Sequence, residues 1–240
     1  MTVSQLTPIK FIKEMNNYMK LLQMEKLTLF CQIAFFKTLL INVYYFGFNF
    51  WKIPILVYRH THLDYRRGKM TVTFPLRFGM LQIGRRRNGF VNQEATLWYN
   101  RGSIILRGRA SIGRGSQIIV SETGILTFGD EFCSSGDVTL TCNKSITFGS
   151  DNLLAWNILL MDTDCHHILN LNGSEILNPP LSITIGDHVW IGCNVTVLKG
   201  VNISDNTVIA ANSTITKSYA ETNVVLGSKG ILKTGINWRY

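Results

Sequence analysis

The sequence IGDHVWIGCNVTVLKGVNISDNTVIAANSTIT, residues 185–216, repeats every six positions. The aliphatic residues that open successive units are Ile185, Ile191, Val197, Ile203, Ile209 and Ile215. A period of six fits neither an α-helix nor a simple strand, but it is typical of a solenoid whose short strands present the same inward side chain on every rung. The residues two positions earlier share that inward face, because side chains alternate along a strand. The stretch therefore predicts a parallel β-helix.

The six-residue register breaks after the middle of the chain. Continued from Leu154 and Leu160, the next inward position falls on His166, and Asp164 lies two positions before it. Burying either polar side chain without a partner in an aliphatic core costs several kcal/mol. The distance from His166 to Ile185 is not a multiple of six, and Asn-Gly-Ser and Pro-Pro sequences lie between them. We therefore expect the chain to leave the coil in a loop, and a functional site to lie at the break.

Residues 78–233 resemble the hexapeptide-repeat acyltransferase family. The resemblance lies in the repeat and in less regular copies of it, such as Ile112-Gly113 and Phe148-Gly149. The resemblance implies a mainly β fold, a left-handed parallel β-helix, that assembles as a homotrimer with active sites between subunits. It also implies acetyl-CoA as the donor, with no metal. The chain would then divide into an N-terminal helical and basic aromatic extension at 1–77, the β-helix at 78–233 and a C-terminal tail at 234–240.

The segment WNILLMDTDCHHI, residues 156–168, is similar to the family's Trp-Asn sequence followed by Asp-x-Asp-x-His. In that motif the histidine is the catalytic base, and the match assigns this role to His166. The resemblance also assigns Asn157 to the site, and Asp162 or Asp164 would orient the imidazole ring. An imidazole that accepts the proton of an attacking sugar hydroxyl typically accelerates transfer by about 10² to 10⁴.

A donor site is predicted on the outside of the coil. Trp190 lies between two inward residues, so strand alternation turns its indole outward. By resemblance this tryptophan lies near the arm of the acyl donor, and the backbone amide of Cys193 would stabilise the oxyanion. The residues similar to the family's coenzyme A contact region are Ala210, Ala211, Ser213, Thr216 and Lys217, and Lys229 is a further candidate for a phosphate of the cofactor.

The charge of the chain is unevenly distributed. The net charge is +9, yet residues 1–109 carry 17 Lys and Arg against 4 acidic residues, whereas residues 110–240 carry 7 against 11. This basic half favours an anionic partner, either an acidic membrane surface or a pyrophosphate-linked substrate. Nucleic acid is not expected, because no recognised binding module accompanies the charge. Five cysteines without paired spacing suit a reducing cytoplasm, and a position at the inner face of the cell membrane is compatible with the charge.

The N-terminal extension favours helices. Residues 8–24 show the apolar stripe of an amphipathic helix, and a second apolar stretch runs from Leu27 to Trp51. Lys37 divides that stretch into runs too short to span a bilayer, which takes about 20 apolar residues. Aromatic and basic residues lie close together in this part of the chain. They would either pack as a helical cap on the first coils or attach to the headgroup zone of an acidic membrane, and the sequence leaves both open.

The function that the resemblance implies is direct transfer of an acetyl group from acetyl-CoA to a hydroxyl of a bacterial surface polysaccharide or its lipid-linked precursor. An N-acyltransferase of an amino sugar nucleotide is an alternative within the same fold. A zinc-dependent lyase of the carbonic-anhydrase type is a second alternative, because His166, His167 and His188 are available, although three separated ligands are required. A noncatalytic scaffold is a third, since fold alone does not fix activity.

Overall fold

The chain forms a three-sided parallel β-helix in the computed structural model, which describes residues 32–86 and 94–239. Its strands stack in three columns, termed faces 1, 2 and 3. Face 1 consists, in order, of β1 (Ile55–Val57), β4 (Leu81–Arg85), β7 (Ala110–Gly113), β10 (Phe132–Cys142), β12 (Leu153–Met161), β14 (Trp190–Ile191), β17 (Val208–Ile209) and β19 (Val224–Gly227).

Faces 2 and 3 repeat the same parallel stacking. Face 2 contains β2 (Thr61–Asp64), β5 (Thr96–Asn100), β8 (Gln117–Val120), the second halves of β10 and β12, β15 (Thr196–Leu198) and β18 (Thr214–Ile215). Face 3 contains β3 (Lys69–Val72), β6 (Ser103–Leu106), β9 (Ile125–Phe128), β11 (Ser145–Phe148), β13 (Ile183–Ile185) and β16 (Asn202–Ile203). The long strands β10 and β12 bend at a corner and so contribute to two faces.

The six-residue positions of the sequence stack directly on one another. On face 1, Leu154 pairs with Ile191 and Ile191 with Ile209, and on face 2, Leu160 pairs with Val197. All these side chains are buried, which confirms the predicted inward register. Each coil therefore extends one continuous core, and full burial of such a side chain contributes about 1.5–3 kcal/mol.

The β-helix begins earlier than the sequence predicts. Strands β1, β2 and β3, within residues 55–72, pair with β4, β5 and β6 and so form a complete first coil. The predicted start at residue 78 is therefore too late, and the predicted extension 1–77 contains part of the solenoid. Val57 and Leu63 keep the spacing of six, but the aromatic and basic residues between them hide the pattern.

Helix α1 (Phe35–Phe46) and the 3-10 helix Gly47–Lys52 lie at the start of the solenoid. The buried residues of α1, Thr38, Ile41 and Asn42, face the first coil, which confirms that the N-terminal extension contains helix. The amphipathic helix predicted at 8–24 lies outside the described residues. Within residues 32–86 and 94–239, no helix has the length and apolar character needed to cross a membrane.

The chain leaves the coil after β12 and returns at β13, so residues 162–182 form an excursion loop, and the predicted break is confirmed. Inside this loop, Leu169 and Ile176 form an antiparallel bridge. After the last coil, β20 (Gly230–Thr234) runs antiparallel to β19. Trp238, which belongs to the predicted tail 234–240, is buried.

Candidate active site

The excursion loop is anchored at its base by Asp162. This side chain is fully buried, and its two oxygens accept hydrogen bonds of 2.7 Å each from the backbone amides of Asn143 and Lys144 in the preceding coil. Its carbonyl accepts a further bond of 2.9 Å from Leu181, where the loop returns. Contrary to the prediction, the carboxylate makes no hydrogen bond with the ring of His166 in the described structure. Asp162 is a structural anchor, because both of its oxygens are committed to the backbone.

His166 lies outside the solenoid on a strained turn. Its backbone N–H donates to the carbonyl of Asp164 at 2.7 Å, and Cys165 between them has a φ of +60°. Residues other than glycine rarely adopt this left-handed backbone conformation. It costs of order 1–3 kcal/mol and persists where the surrounding structure fixes it. The imidazole is exposed and has no hydrogen-bond partner among residues 32–86 and 94–239. It is therefore available to accept a proton from a bound molecule.

A small depression adjoins the ring of His166. Its volume is about 100 Å³. The residues that line it are Asn143, Thr163, Cys165, His166, His167, Ile176, Asn178, Pro179 and Pro180. Complete pockets for small molecules are typically about 300 Å³ or larger. The depression at His166 is smaller than such a pocket.

Asn178 fixes the turn that carries His166. Its Nδ2 donates to Asp164 Oδ2 at 2.7 Å and to the carbonyl of His166 at 2.9 Å, and its Oδ1 accepts from the N–H of Ile168 at 2.6 Å. Lys199 Nζ donates to the same Asp164 oxygen at 2.5 Å and to the carbonyl of Asn178 at 3.1 Å. Asp164 thus fixes the backbone of the turn, whereas the sequence predicted that Asp162 or Asp164 would orient the imidazole ring of His166. Sequence reasoning missed Asn178 and Lys199, which lie 14 and 35 residues from Asp164.

The hydrogen bonds from Lys199 and Asn178 lower the pKa of Asp164 below its ordinary value. Because the folded-state pKa is the lower one, the pair stabilises the loop above the ordinary carboxyl pKa, and this contribution disappears as the pH falls through the lowered value. We predict that Lys199→Gln raises the pKa of Asp164 towards its ordinary value in a carbon-13 NMR titration of the carboxyl group. Lys217→Gln, which alters a lysine of a later coil, should leave this pKa unchanged. An unaltered titration in Lys199→Gln would contradict the contact.

A ladder of asparagine side chains marks the corner between faces 1 and 2. Asn157 Nδ2 donates to Asn194 Oδ1 at 2.7 Å, and Asn194 Nδ2 donates to Asn212 Oδ1 at 3.0 Å. Their φ angles are +54°, +56° and +58°, in a region that asparagine tolerates better than most residues. Asn157, predicted for the catalytic site, therefore has a structural role in this ladder. The ladder also fixes Cys193, which precedes Asn194, at the corner.

The predicted donor residues lie along one edge of the solenoid. The strand register places Cys193, Ala211 and Ser228 at the same corner of three successive coils. Trp190 has 39% of its surface exposed on face 1, which confirms that it points away from the core. The edge therefore combines small side chains with the projecting indole of Trp190.

The remaining predicted donor contacts differ in exposure. Thr216, Lys217 and Lys229 are exposed, and Ala210 is half-buried. Ser213 is only 4% exposed, and its carbonyl accepts a 2.9 Å hydrogen bond from Thr196. The position two before Ile215 faces the core, so Ser213 presents almost no side-chain surface to a cofactor along this edge.

Trp238 places a second indole beside Trp190. Its ring stacks on His188 with centroids 4.2 Å apart and lies 6.1 Å from the ring of Trp190. The indole N–H donates to the carbonyl of His188 at 2.9 Å, and Nδ1 of His188 lies 2.6 Å from Asp151 Oδ2. The C-terminal tail thus packs against face 1 next to Trp190. Periodicity gave no indication of this contact, which joins residues 50 positions apart.

The histidines considered for a zinc site do not converge. Nδ1 of His188 contacts Asp151, and its Nε2 lies 3.2 Å from the carbonyl of Trp238. Across the described ranges, 32–86 and 94–239, no group of three His, Cys, Asp or Glu side chains is arranged to hold a metal ion.

Known proteins share the repeat of this chain. Residues 182–217 match the family described as bacterial transferase hexapeptide (six repeats). The chain is 33% identical over 133 residues to the galactoside O-acetyltransferase of Escherichia coli K12, a match that covers 53% of this chain and 64% of that protein. It is 39% identical over 66 residues to the polysialic acid O-acetyltransferase of Neisseria meningitidis, which is 28% of this chain and 31% of that protein. The matches thus span less than two thirds of either relative.

The fold is similar to the crystal structure of the polySia-specific acetyltransferase NeuO. The TM-score is 0.51 at 19% identity, and the match covers 78% of this chain and 72% of the other. At this identity the likeness concerns the fold. Together with the repeat match, it confirms the predicted fold class, a left-handed parallel β-helix of hexapeptide repeats, and the predicted family resemblance.

Proposed function

We propose that this chain, whose repeats and fold are those of the hexapeptide-repeat acyltransferases, transfers an acetyl group from acetyl-CoA to a hydroxyl of a bacterial surface polysaccharide or its lipid-linked precursor. The O-acetyltransferases among its relatives support this class of reaction. The observation that carries the proposal is the exposed His166 ring, held on a strained turn where a regular solenoid opens. Strained backbone of this kind clusters at active sites.

His166 supplies the base in this proposal. Its imidazole accepts the proton of the acceptor hydroxyl while the hydroxyl oxygen attacks the thioester carbonyl. The carbon–sulfur bond then breaks, the acetyl ester forms, and the imidazolium returns the proton to the departing thiolate. Asp164 acts on the turn: with Asn178 and Lys199 it fixes the backbone that carries the ring. The position of the imidazole, and so its distance from the reacting carbonyl, depends on that network.

We place the donor along the edge formed by Trp190, Cys193 and Ala211. Small side chains there let a pantetheine arm approach the backbone, and the exposed Lys217 and Lys229 are the proposed partners of its phosphates. The depression at His166 is too small for two substrates, which supports an active site completed by another copy of the chain. The proposed assembly is thus a homotrimer with sites between subunits. Use of acetyl-CoA places the reaction in the cytoplasm.

Acetyl transfer to a glycan tests the proposal directly. The protein is incubated with acetyl-CoA carrying an isotopic label in the acetyl group and with bacterial surface glycans, and the product is analysed by mass spectrometry. We expect free CoA together with an acetyl ester that alkaline hydroxylamine cleaves. A hydroxylamine-resistant acetamide on an amino sugar nucleotide would favour the N-acyltransferase instead. Absence of CoA release with every acceptor would contradict transferase activity.

A further inference from the structure

Helix α1 contacts the solenoid through polar side chains. Asn42 Nδ2 donates to the carbonyl of Ile55 at 2.7 Å, and its Oδ1 accepts from the amide of the same residue at 3.0 Å. Thr38 Oγ1 accepts from the amide of Val57 at 3.0 Å. Since β1 is the end strand of face 1, these side chains satisfy its open backbone edge. The inward side of the helix is therefore sufficient to cap the solenoid.

The outward side of the same region is also apolar, whereas a surface helix usually presents polar residues to solvent. The exposed residues Phe35, Phe36, Leu40, Phe48, Trp51 and Phe78 are termed the aromatic surface. Phe36 is 77% exposed and Phe48 is 99% exposed. Phe35 and Phe78 line one groove of about 170 Å³, and the ring centres of Phe35 and Phe36 are 5.7 Å apart. Large exposed apolar side chains grouped in one part of a protein are typical of a binding surface.

The part of the chain that carries the aromatic surface is strongly basic. Residues 32–86 contain nine Lys and Arg and one acidic residue, Asp64, which pairs with Arg101 at 3.6 Å. Residues 1–31 add four Lys against two Glu. Covering the aromatic surface with a second copy, or with residues 1–31, would bring positive charge against positive charge. An anionic partner is attracted instead.

Several of these cations lie directly beside the aromatic surface. Lys52 Nζ is 5.5 Å from the centre of the Trp51 ring. Tyr44 donates a hydrogen bond to the carbonyl of Arg66, which brings the exposed turn of Arg66 and Arg67 to the end of α1. Exposed rings with cations next to them suit the interface of a bilayer, where rings enter the headgroup zone and cations meet acidic lipids.

We propose that the aromatic surface and the cations beside it bind the headgroup zone of an anionic bilayer. The helical cap and the membrane attachment, which the sequence leaves open as alternatives, then occur at the same time. The polar side chains of α1 cap the first coil, and the apolar side of α1 faces lipid. The proposal does not depend on the transferase chemistry. Membrane binding would, however, hold the solenoid at the bilayer surface, where a lipid-linked acceptor also lies.

Binding of the full chain to vesicles tests the aromatic surface. The probes are phosphatidylcholine vesicles with and without 30% phosphatidylglycerol, at low and high salt, read by cosedimentation. We expect binding to the anionic vesicles alone, and its loss at high salt. The variant Phe36→Ser/Phe48→Ser/Trp51→Ser should bind more than about tenfold more weakly. The control Leu169→Ser/Leu171→Ser/Leu177→Ser removes three exposed leucines of the excursion loop and should bind as the wild type does.

A charge variant tests the cations separately. Each cation near an anionic surface contributes about fivefold to binding, so Lys52→Gln/Arg66→Gln/Arg67→Gln should weaken it by on the order of a hundredfold. The matched control Arg107→Gln/Lys144→Gln/Arg239→Gln removes the same charge from exposed positions outside residues 32–86 and should have little effect. Absence of binding to anionic vesicles at low salt, or equal losses in both charge variants, would overturn the proposal.

Photo-crosslinking identifies what covers the aromatic surface. Phe48 is replaced by p-benzoylphenylalanine, and the illuminated mixture of protein and anionic vesicles is analysed by mass spectrometry. A lipid adduct is the expected product. A covalent dimer would show that a second copy occupies the surface, and an internal link to residues 1–31 would show that the chain covers itself. Either of these products in place of the lipid adduct would overturn the proposal, whatever the transferase assay gives.

Discussion

Replacing His166 with alanine is expected to lower the rate of acetyl transfer by about 10² to 10⁴, the range that a positioned general base contributes. The ring is exposed, and no hydrogen bond joins it to residues 32–86 or 94–239. Its removal should therefore leave the thermal midpoint of unfolding unchanged while kcat falls. Release of free CoA from acetyl-CoA in the presence of acceptor measures the rate.

His167→Ala is the matched control for this experiment. His167 is the next residue, is also exposed and lines the same depression, so its removal perturbs the loop to a similar extent. The control should keep most of the activity. Equal turnover by the wild type and His166→Ala would exclude His166 as the base. Equal losses in both variants would mean that the loop as a whole, rather than one ring, is required.

The variant Asp162→Ala is expected to lower the free energy of unfolding by about 2–5 kcal/mol. Its removal leaves the part-buried backbone N–H groups of Asn143 and Lys144 without their acceptors, and leaving such a group unsatisfied costs about 1–3 kcal/mol. The base of the excursion loop should also loosen. Urea denaturation measures the first effect, and faster hydrogen exchange in residues 163–181 measures the second.

Asp164→Ala separates the two aspartates of the motif. Asp164 is exposed, and an exposed ion pair contributes little to stability, so the free energy of unfolding should change much less than in Asp162→Ala. The same substitution releases the turn that carries His166 and should reduce kcat. If Asp162→Ala lost activity but kept its full stability, the structural role assigned to Asp162 would be wrong. That result would instead support the role predicted from the sequence, which is to orient the imidazole ring of His166.

The fold was predictable because one local rule is repeated. Ile191 contacts its equivalents Leu154 and Ile209 on the neighbouring coils, so each unit contains the information for its own neighbours. The break at His166 was predictable for the same reason, since a polar side chain at an inward position cannot continue the coil. The first coil escaped prediction because inward Val57 and Leu63 are separated by residues that serve the corners and the contact with α1.

The candidate site was predictable as a segment but not as a set of partners. Asp162 and Asp164 belong to one motif, yet a difference of two positions places the first in the base of the loop and the second on its surface. The contacts of Asn178, Lys199 and Trp238 join residues far apart in sequence, and no periodic pattern encodes them. Ser213 was assigned by likeness to a contact region, although its own register already placed it in the core.

The antiparallel strand β20 determines where face 1 ends. A solenoid that finishes on a parallel strand leaves a row of unpaired backbone groups, which is a template for a further strand from another molecule. Here β20 returns along β19 from the pair Gly227 and Gly230, and it presents the exposed Lys233 on its outer side. A strand arriving in the direction of the coils would meet a reversed neighbour and a charge. At the end of face 1, β20 thus covers the edge that a further parallel coil would extend.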